Sequence, residues 1–407
     1  MRTSALVFNL IISFLFPLIS NGQERCHIEI KNESPEQFEE WINQKRKTTA
    51  LFNQSRLMRN ALTVRVVVHI IHKGEATGVG TNISDAQVLS QLEVLNKDFN
   101  RFNVDALNTP GEFRSVAGSM VVQFVLSAVN RVQGSKPSWT VQDNTTLKAQ
   151  SYWPAEDYLN IWVCDLTDYY GYTQFPTSSL PGLDYSPTNR LTDGIIISYK
   201  AFGSKDYGNF DLRSNFNRGR TTVHEVGHFL GLRHIWGDQT GCSGTDYVDD
   251  TPVQSDKTFG CPSHPQSSCA SNKMFQNFMD FTDDACMNLF TQGQVNRMIT
   301  VLENSPRRAS LLLPLNAKGQ AFSPPKIFSP NGDGINDFWI WNDTYSYRNC
   351  TLSIFDSSAK KILEMKAYDN SWSGRGMDGQ TLDPGAYYYV LRCDGQEEIT
   401  GSVRLLR

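Results

Sequence analysis

The chain has 407 residues, with 38 lysines and arginines against 42 aspartates and glutamates and a formal net charge of −4. That length is enough for a large core and two folded domains with appendages. Acids and bases are interleaved without a long basic stripe, which excludes a dominant nucleic-acid or anionic-membrane surface.

Residues 1–22 read as a secretory signal peptide. Arg2 supplies the positive start, Ala5 to Ile19 is almost wholly apolar, and Ser20-Asn21-Gly22 offers small residues for cleavage. No later run is long and apolar enough for a transmembrane segment, and Cys26 lacks the small-residue context of a lipoprotein signal. The chain is therefore expected to be secreted or held at the cell surface. Residues 23–60 are polar and charged, with a weak helical pattern at Phe38, Trp41 and Ile42. Basic clusters at Lys45-Arg46-Lys47 and Arg56 to Arg59 suit a trypsin-like protease, so this stretch reads as a removable pro-segment.

Residues 61–305 are predicted to form the main folded domain. Leu62 to Ile71 reads as a strand, and Ser84 to Arg101 as a capped helix with Val88, Leu92, Leu95 and Phe99 on one side. Ser119 to Val129 and Tyr158 to Cys164 are further strands, the latter apolar at nearly every position as in a buried strand. Gly171 to Phe175, closed by Pro176, suits an edge strand. Gly194 to Tyr199 is a buried strand that leads through a Gly- and Asn-rich loop to a helix at Arg220 to Leu230. This order predicts an α+β domain, a twisted mixed five-stranded sheet with a backing helix and a site-bearing helix.

That last helix carries His224, Glu225, His228, Gly231 and His234 in the order H-E-x-x-H-x-x-G-x-x-H. Positions four apart share a helix face, so the imidazoles of His224 and His228 can converge on one ion. Gly231 can take the left-handed conformation that ends a helix and turns the chain, bringing His234 back as a third ligand. Three neutral nitrogens and one open position describe a catalytic zinc site, with Glu225 beside the bound water as general base. Downstream, Gly241 to Phe290 is loop-rich and holds Cys242, Cys261, Cys269 and Cys286. Two disulfides are expected there, with three pairings open. Met279, in Asn277-Phe-Met-Asp-Phe281, is the candidate for a methionine turn that forms a polarizable floor under the imidazoles.

Taken together, H-E-V-G-H-F-L-G-L-R-H-I-W-G-D, then G-C, D-D-T-P and N-F-M-D-F with F-T-Q-G-Q-V-N-R-M, resemble the pappalysin-type metzincin metalloproteases. The segments Leu159-Asn-Ile-Trp-Val-Cys164, Gly171-Tyr-Thr-Gln-Phe-Pro176 and Asp193-Gly-Ile-Ile-Ile197 are similar to that family's strands, and the resemblance covers about residues 62–303. It implies a zinc endopeptidase acting on protein or peptide substrates, with ligands His224, His228 and His234 and base Glu225. It also implies the pairings Cys242–Cys269 and Cys261–Cys286, and a structural calcium ion in a loop around Asp246, Asp249, Thr251 and Val253. Cys26 fits the pro-segment cysteine with which latent forms of the family fill the open zinc position; a disulfide between Cys26 and Cys164 is the rival reading. Phe281 stands where many metzincins carry a tyrosine, so a hydroxyl near the metal is missing and a lowered or altered rate is expected. The alternative function is a surface-displayed binding protein with a low-activity metzincin fold.

A linker is expected over residues 306–325, ending in Pro324-Pro325, and a small all-β sandwich over residues 326–407, with strands at Thr351 to Phe355, Lys361 to Tyr368 and Ala386 to Cys393. Ser329-Pro-Asn-Gly-Asp-Gly-Ile-Asn-Asp337, Trp372-Ser-Gly, Gly385-Ala-Tyr-Tyr-Tyr389 and Gly401-Ser-Val-Arg resemble the gliding-motility-associated C-terminal domains, which implies a sorting signal read by the type IX secretion machinery. Asp333 and Asp337 read better as turn formers than as calcium ligands.

Overall fold

The computed structural model describes residues 23–29, 35–52, 62–176, 190–312, 324–332, 336–341, 347, 350–366, 368, 370–393 and 398–407. The stretch read as a signal peptide, the cluster Arg56 to Arg59, part of the expected linker and Asp333 lie outside these. In chain order the main elements are β1 (Glu24–Glu29), α1 (Pro35–Phe52), β2 (Leu62–His72), α2 (Asp85–Phe99), β3 (Val122–Gln133), α3 (Asn144–Lys148), β4 (Leu159–Cys164), β5 (Tyr169–Gln174), β6 (Ile195–Ser198) and α4 (Arg220–Phe229). A short strand pair, β7 (Ser267–Ser268) and β8 (Ser271–Asn272), and α5 (Gln292–Asn304) follow.

The large sheet runs in the order β1-β5-β6-β4-β2-β3. Strands β3, β2, β4 and β6 are parallel, β5 is antiparallel to β6, and β1 lies parallel to β5. The mixed five-stranded sheet expected from residues 62–199 is thus present, and the stretch read as a pro-segment adds a sixth strand on its outer edge. Alternation splits the strands between two buried faces. Val64, Val66, Val68, Ile70, Ile161, Val163, Ile195 and Ile197 join the core shared with α2, α4 and α5. Ile71, Trp162, Cys164 and Ile196 pack on the other face under Trp139, Val141 and Leu147. Because both faces are covered, β4 and β6 are buried throughout and apolar except at Asn160 and Ser198.

α2 begins at Ser84, whose hydroxyl accepts from the Gln87 N–H. α4 ends in a glycine turn: Gly231, at φ +88, donates to the His228 carbonyl at 2.8 Å, and Leu232 donates to the Gly227 carbonyl at 2.9 Å. Arg308 fastens the same end, donating to the Phe229 carbonyl at 2.8 Å while its guanidinium pairs with buried Asp193. Separately, β9 (Ile327–Phe328), β10 (Cys350–Phe355), β11 (Lys361–Lys366), β12 (Gly385–Cys393) and β13 (Ile399–Leu405) form a five-stranded sheet in the order β11-β10-β12-β13-β9. It has its own core around Trp339, Trp341, Trp372 and Tyr389. β9 and β13 were not among the expected strands.

His69 illustrates how dry the second face is. Its ring stacks on Trp162 at 5.1 Å, its Nε2–H donates to the Asn160 side-chain oxygen at 2.8 Å, and Nδ1 lies 2.8 Å from the Ser151 hydroxyl. Burial lowers its pKa from 6.5 to about 4. The fold therefore holds His69 neutral while the unfolded chain takes up a proton near 6.5, so its contribution is complete above that pH and is lost as pH falls toward 4. At 1.36 kcal/mol per pH unit the loss reaches about 3 kcal/mol. Urea unfolding of the wild type and His69→Gln at neutral and at acid pH is expected to show their stability difference shrinking on acidification. A difference independent of pH would contradict this account.

Candidate metal centre

α4 presents His224 and His228 on one face, and the turn at Gly231 returns His234 to the same point. The Nε2 atoms of His224 and His228 are 3.0 Å apart, and those of His228 and His234 are 3.2 Å apart. Each ring is fixed through its other nitrogen: His224 Nδ1 to the Phe278 carbonyl at 2.7 Å, His228 Nδ1 to the Leu232 carbonyl at 2.7 Å, and His234 Nδ1 to the Asp238 carboxylate. Carbonyl and carboxylate oxygens accept, so each ring carries a proton on Nδ1 and turns Nε2 toward the common point.

All three rings are buried, with relative exposures of 0%, 0% and 5%. Burial, together with neighbouring imidazoles, holds His224 and His228 well below the ordinary histidine pKa. Three Nε2 atoms therefore face one another in a dry pocket. A cation reconciles such a set. Tetrahedral zinc with nitrogen ligands at about 2.0–2.1 Å would set them about 3.3 Å apart, near the spacings seen here. The donor set fits a divalent metal. Among the described residues, the group of His, Cys, Asp or Glu atoms close enough to hold one is Cys26, His224, His228 and His234, all within 4.8 Å of one another.

Glu225 lies beside this cluster, fully buried. Desolvation raises its pKa to about 8, against the pull of its hydrogen bonds and of Arg25. A nearby cation would favour the carboxylate again. The Thr173 hydroxyl, on β5, donates to one carboxylate oxygen; the other, Oε1, has no hydrogen-bond partner, and the Cys26 thiol lies near the carboxyl group. β5 passes so closely over Glu225 that a Cβ at Gly171 would collide with its carboxylate. Met279 is fully buried beneath α4, and a Cβ at Gly227 would come 2.5 Å from its sulfur. Phe281 forms a side wall, with ring centroids 5.7 Å from His224, 5.0 Å from His234 and 4.9 Å from Trp236.

Cys26 is a buried free thiol, 3.7 Å from His234 Nε2, and Cys164 is a second buried free thiol in β4. The rival disulfide between them is therefore not formed. Arg25 anchors the same strand through a 3.0 Å salt bridge to buried Asp284 and a contact to the Thr282 carbonyl. The structure pairs Cys242 with Cys269 and Cys261 with Cys286, at Cα separations of 5.5 and 5.7 Å. It adds a bridge that the sequence reading did not assign, Cys350–Cys393, whose residues face each other across β10 and β12. In the loop expected to hold calcium, Asp246 is buried and accepts from the Thr251 hydroxyl at 2.9 Å and the Val248 N–H at 3.1 Å, whereas Asp249 and Val253 are exposed. Asp250, not singled out, accepts from the Gly293 N–H at 2.8 Å.

Gly171, Thr173, Gly227 and Asp238 are site residues that sequence reasoning left without a role. For Asp238 a signal was present, an acid four positions after His234 in Trp236-Gly-Asp238. Asp238→Ala leaves every candidate ligand in place but frees the His234 ring, so metal affinity is expected to fall about 10–100-fold. Competition with a graded chelator series measures this, and unchanged affinity would exclude the orienting role.

With this geometry in view, the relatives are informative. Residues 142–303 match the family model of pregnancy-associated plasma protein-A, and residues 322–405 match the type IX secretion signal domain. An extracellular metalloprotease of Arthroderma benhamiae is 32% identical over 246 residues, spanning 58% of this chain and 76% of the relative. One of Pyricularia oryzae is 32% identical over 307 residues, spanning 71% of this chain and 95% of the relative. Mirolysin in complex with compound 9 superposes with a TM-score of 0.57 at 39% identity, covering 65% of this chain and 100% of its own. A promirolysin mutant of Tannerella forsythia gives a TM-score of 0.56 at 36% identity, covering 72% and 98% respectively. Metal-holding architecture, extracellular relatives and secretion domain agree: this chain belongs to the pappalysin family of metzincin metalloproteases, carries a type IX secretion signal domain, and is secreted or displayed at the cell surface.

Proposed function

We propose that the chain is a zinc endopeptidase that hydrolyses peptide bonds of extracellular proteins and is made as a latent precursor. The observation that carries this is the convergence of three buried Nε2 atoms beside a carboxylate with one unpartnered oxygen. His224, His228 and His234 would hold the metal. Zinc, when bound there, supplies Lewis acidity toward the scissile carbonyl and lowers the pKa of a water. Glu225 takes the proton of the attacking water and passes it to the leaving amine. Thr173 fixes one carboxylate oxygen, which leaves Oε1 for that transfer. Gly171 keeps β5 flat against Glu225, and the outer edge of β5 offers N–H and C=O groups to an extended substrate. Phe281 contributes an apolar wall and no hydroxyl, so no hydrogen bond to the developing oxyanion comes from that position.

Latency follows from the same strand. In this structure β1 already occupies the edge of β5, with Cys26 opposite Gly171, and the Cys26 thiol sits at the imidazole cluster. Residues 23–60 are read as the removable pro-segment, 61–305 as the catalytic domain, 306–325 as a linker and 326–407 as the sorting domain that meets the type IX secretion machinery. A structural calcium ion is part of the same proposal, in the loop around Asp246, Asp249, Thr251 and Val253, where buried Asp246 gathers the Thr251 hydroxyl and the Val248 N–H. Calcium-selective chelation is expected to lower the Tm while zinc is retained; an unchanged Tm would remove the calcium assignment.

Glu225→Ala is expected to retain stoichiometric zinc by elemental analysis and lose casein cleavage by at least about a hundredfold. In the same assay Cys26→Ser is expected to gain activity earlier in a trypsin time course than the wild type, since β1 still covers β5 until it is cut but no thiol holds the imidazole cluster. Undiminished cleavage by Glu225→Ala would overturn the mechanism. No cleavage by the trypsin-treated wild type above a chelated control would favour a binding protein with a metzincin fold.

A further inference from the structure

α1 is seated away from the histidines, in a groove between Phe175 at the end of β5, Val301 of α5, and the guanidiniums of Arg233 and Arg297. Phe38, Trp41 and Ile42 are almost fully buried there, on one helix face. The Phe38 ring lies 5.3 Å from that of Phe175, and the Arg297 guanidinium 5.9 Å from the Phe38 centroid. Glu39 enters beside them. Both of its oxygens pair with Arg297, and Oε1 is 3.6 Å from Arg233 Nε.

The two arginines are differently supported. Arg297 also donates to the Gly231 carbonyl at 2.7 Å. Arg233 is 7% exposed, its Nε and Nη2 lack hydrogen-bond partners, and it lies over the rings of Phe175 and Tyr247. Among the described residues, Glu39 is the carboxylate that pairs with either guanidinium. Loss of α1 therefore leaves an apolar slot walled by two positive charges without their anion, directly after the strand whose edge takes substrate.

We infer that this groove is a docking site for protein substrates, separate from the metal centre, and that it takes an amphipathic helix with the pattern of Phe38-Glu39-x-Trp41-Ile42. The inference rests on the reading of residues 23–60 as a removable pro-segment. Its chemistry is a carboxylate for the Arg233 and Arg297 pair and bulky apolar side chains for the slot. α1 is the internal occupant of the latent form. A substrate held here has its neighbouring segment delivered to β5, which raises the effective concentration of the scissile bond without changing the chemistry.

The test uses the full chain activated with trypsin and freed of its pro-segment. A synthetic peptide of residues 35–52, which lacks Cys26, is titrated by fluorescence anisotropy alongside its Glu39→Gln and Trp41→Ala forms. Cleavage is followed for a short unstructured peptide and for the same peptide fused to residues 35–52. The expected result is binding that each substitution weakens about tenfold or more, and that salt weakens for the unsubstituted peptide. The fusion is expected to show a lower KM at similar kcat, an advantage the free 35–52 peptide erases without slowing cleavage of the short substrate. Equal binding of the three peptides, no KM advantage, or equal inhibition of both substrates would overturn the docking site. If neither substrate is cut, the catalytic reading falls and the titration alone decides the groove.

Discussion

Three Nδ1 contacts, from His224 to the Phe278 carbonyl, His228 to the Leu232 carbonyl and His234 to the Asp238 carboxylate, are the constraint on which the site depends. They decide where the ring protons sit, and so point every Nε2 atom at one place. Two acceptors are backbone carbonyls, supplied by the loop before Met279 and by the glycine turn that closes α4. The site is therefore as rigid as the turns that carry it. Gly227 and Gly231 matter for what they lack: side chains there would meet the Met279 sulfur and Val301.

β5 is the second organising element. Its antiparallel run beside β6 brings Gly171 and Thr173 against Glu225, so one strand both positions the carboxylate and presents an edge to the cleft. The stretch proposed as a pro-segment uses that strand twice, pairing β1 with its edge and packing α1 against Phe175 just beyond it. The energetics of the two contacts differ. The first is made of backbone hydrogen bonds, one thiol and the buried Arg25–Asp284 pair, the second of aromatic burial and the Glu39–Arg297 pair shielded from water.

Much of this was legible in the sequence because it is local. The histidine spacing, Gly231 as a helix stop, the Ser84 cap and the buried runs at β4 and β6 all follow from periodicity within a dozen residues. Strand ends were less legible. β3 starts at Val122, after Val121 at φ +52, and runs on to Gln133, its polar residues tolerated because β3 is a sheet edge. β1 was missed although Arg25 to Glu29 alternates polar and apolar residues, because two apolar side chains in a polar, charged stretch are too weak a signal and the strand gains its place only by pairing with β5. Thr173, Gly171 and the Cys350–Cys393 bridge share that property: each gains its role from a residue far away in the chain. The Cys242–Cys269 and Cys261–Cys286 pairings came from family resemblance, since spacing alone leaves three choices.

The sixth strand has a consequence for the life of the molecule. Natural sheets guard their edges, because open N–H and C=O groups recruit stray strands. On the reading proposed above, the precursor is the form whose sheet is complete, and maturation deliberately uncovers β5. The working enzyme is then an unfinished sheet, and each substrate serves for one turnover as the strand that finishes it.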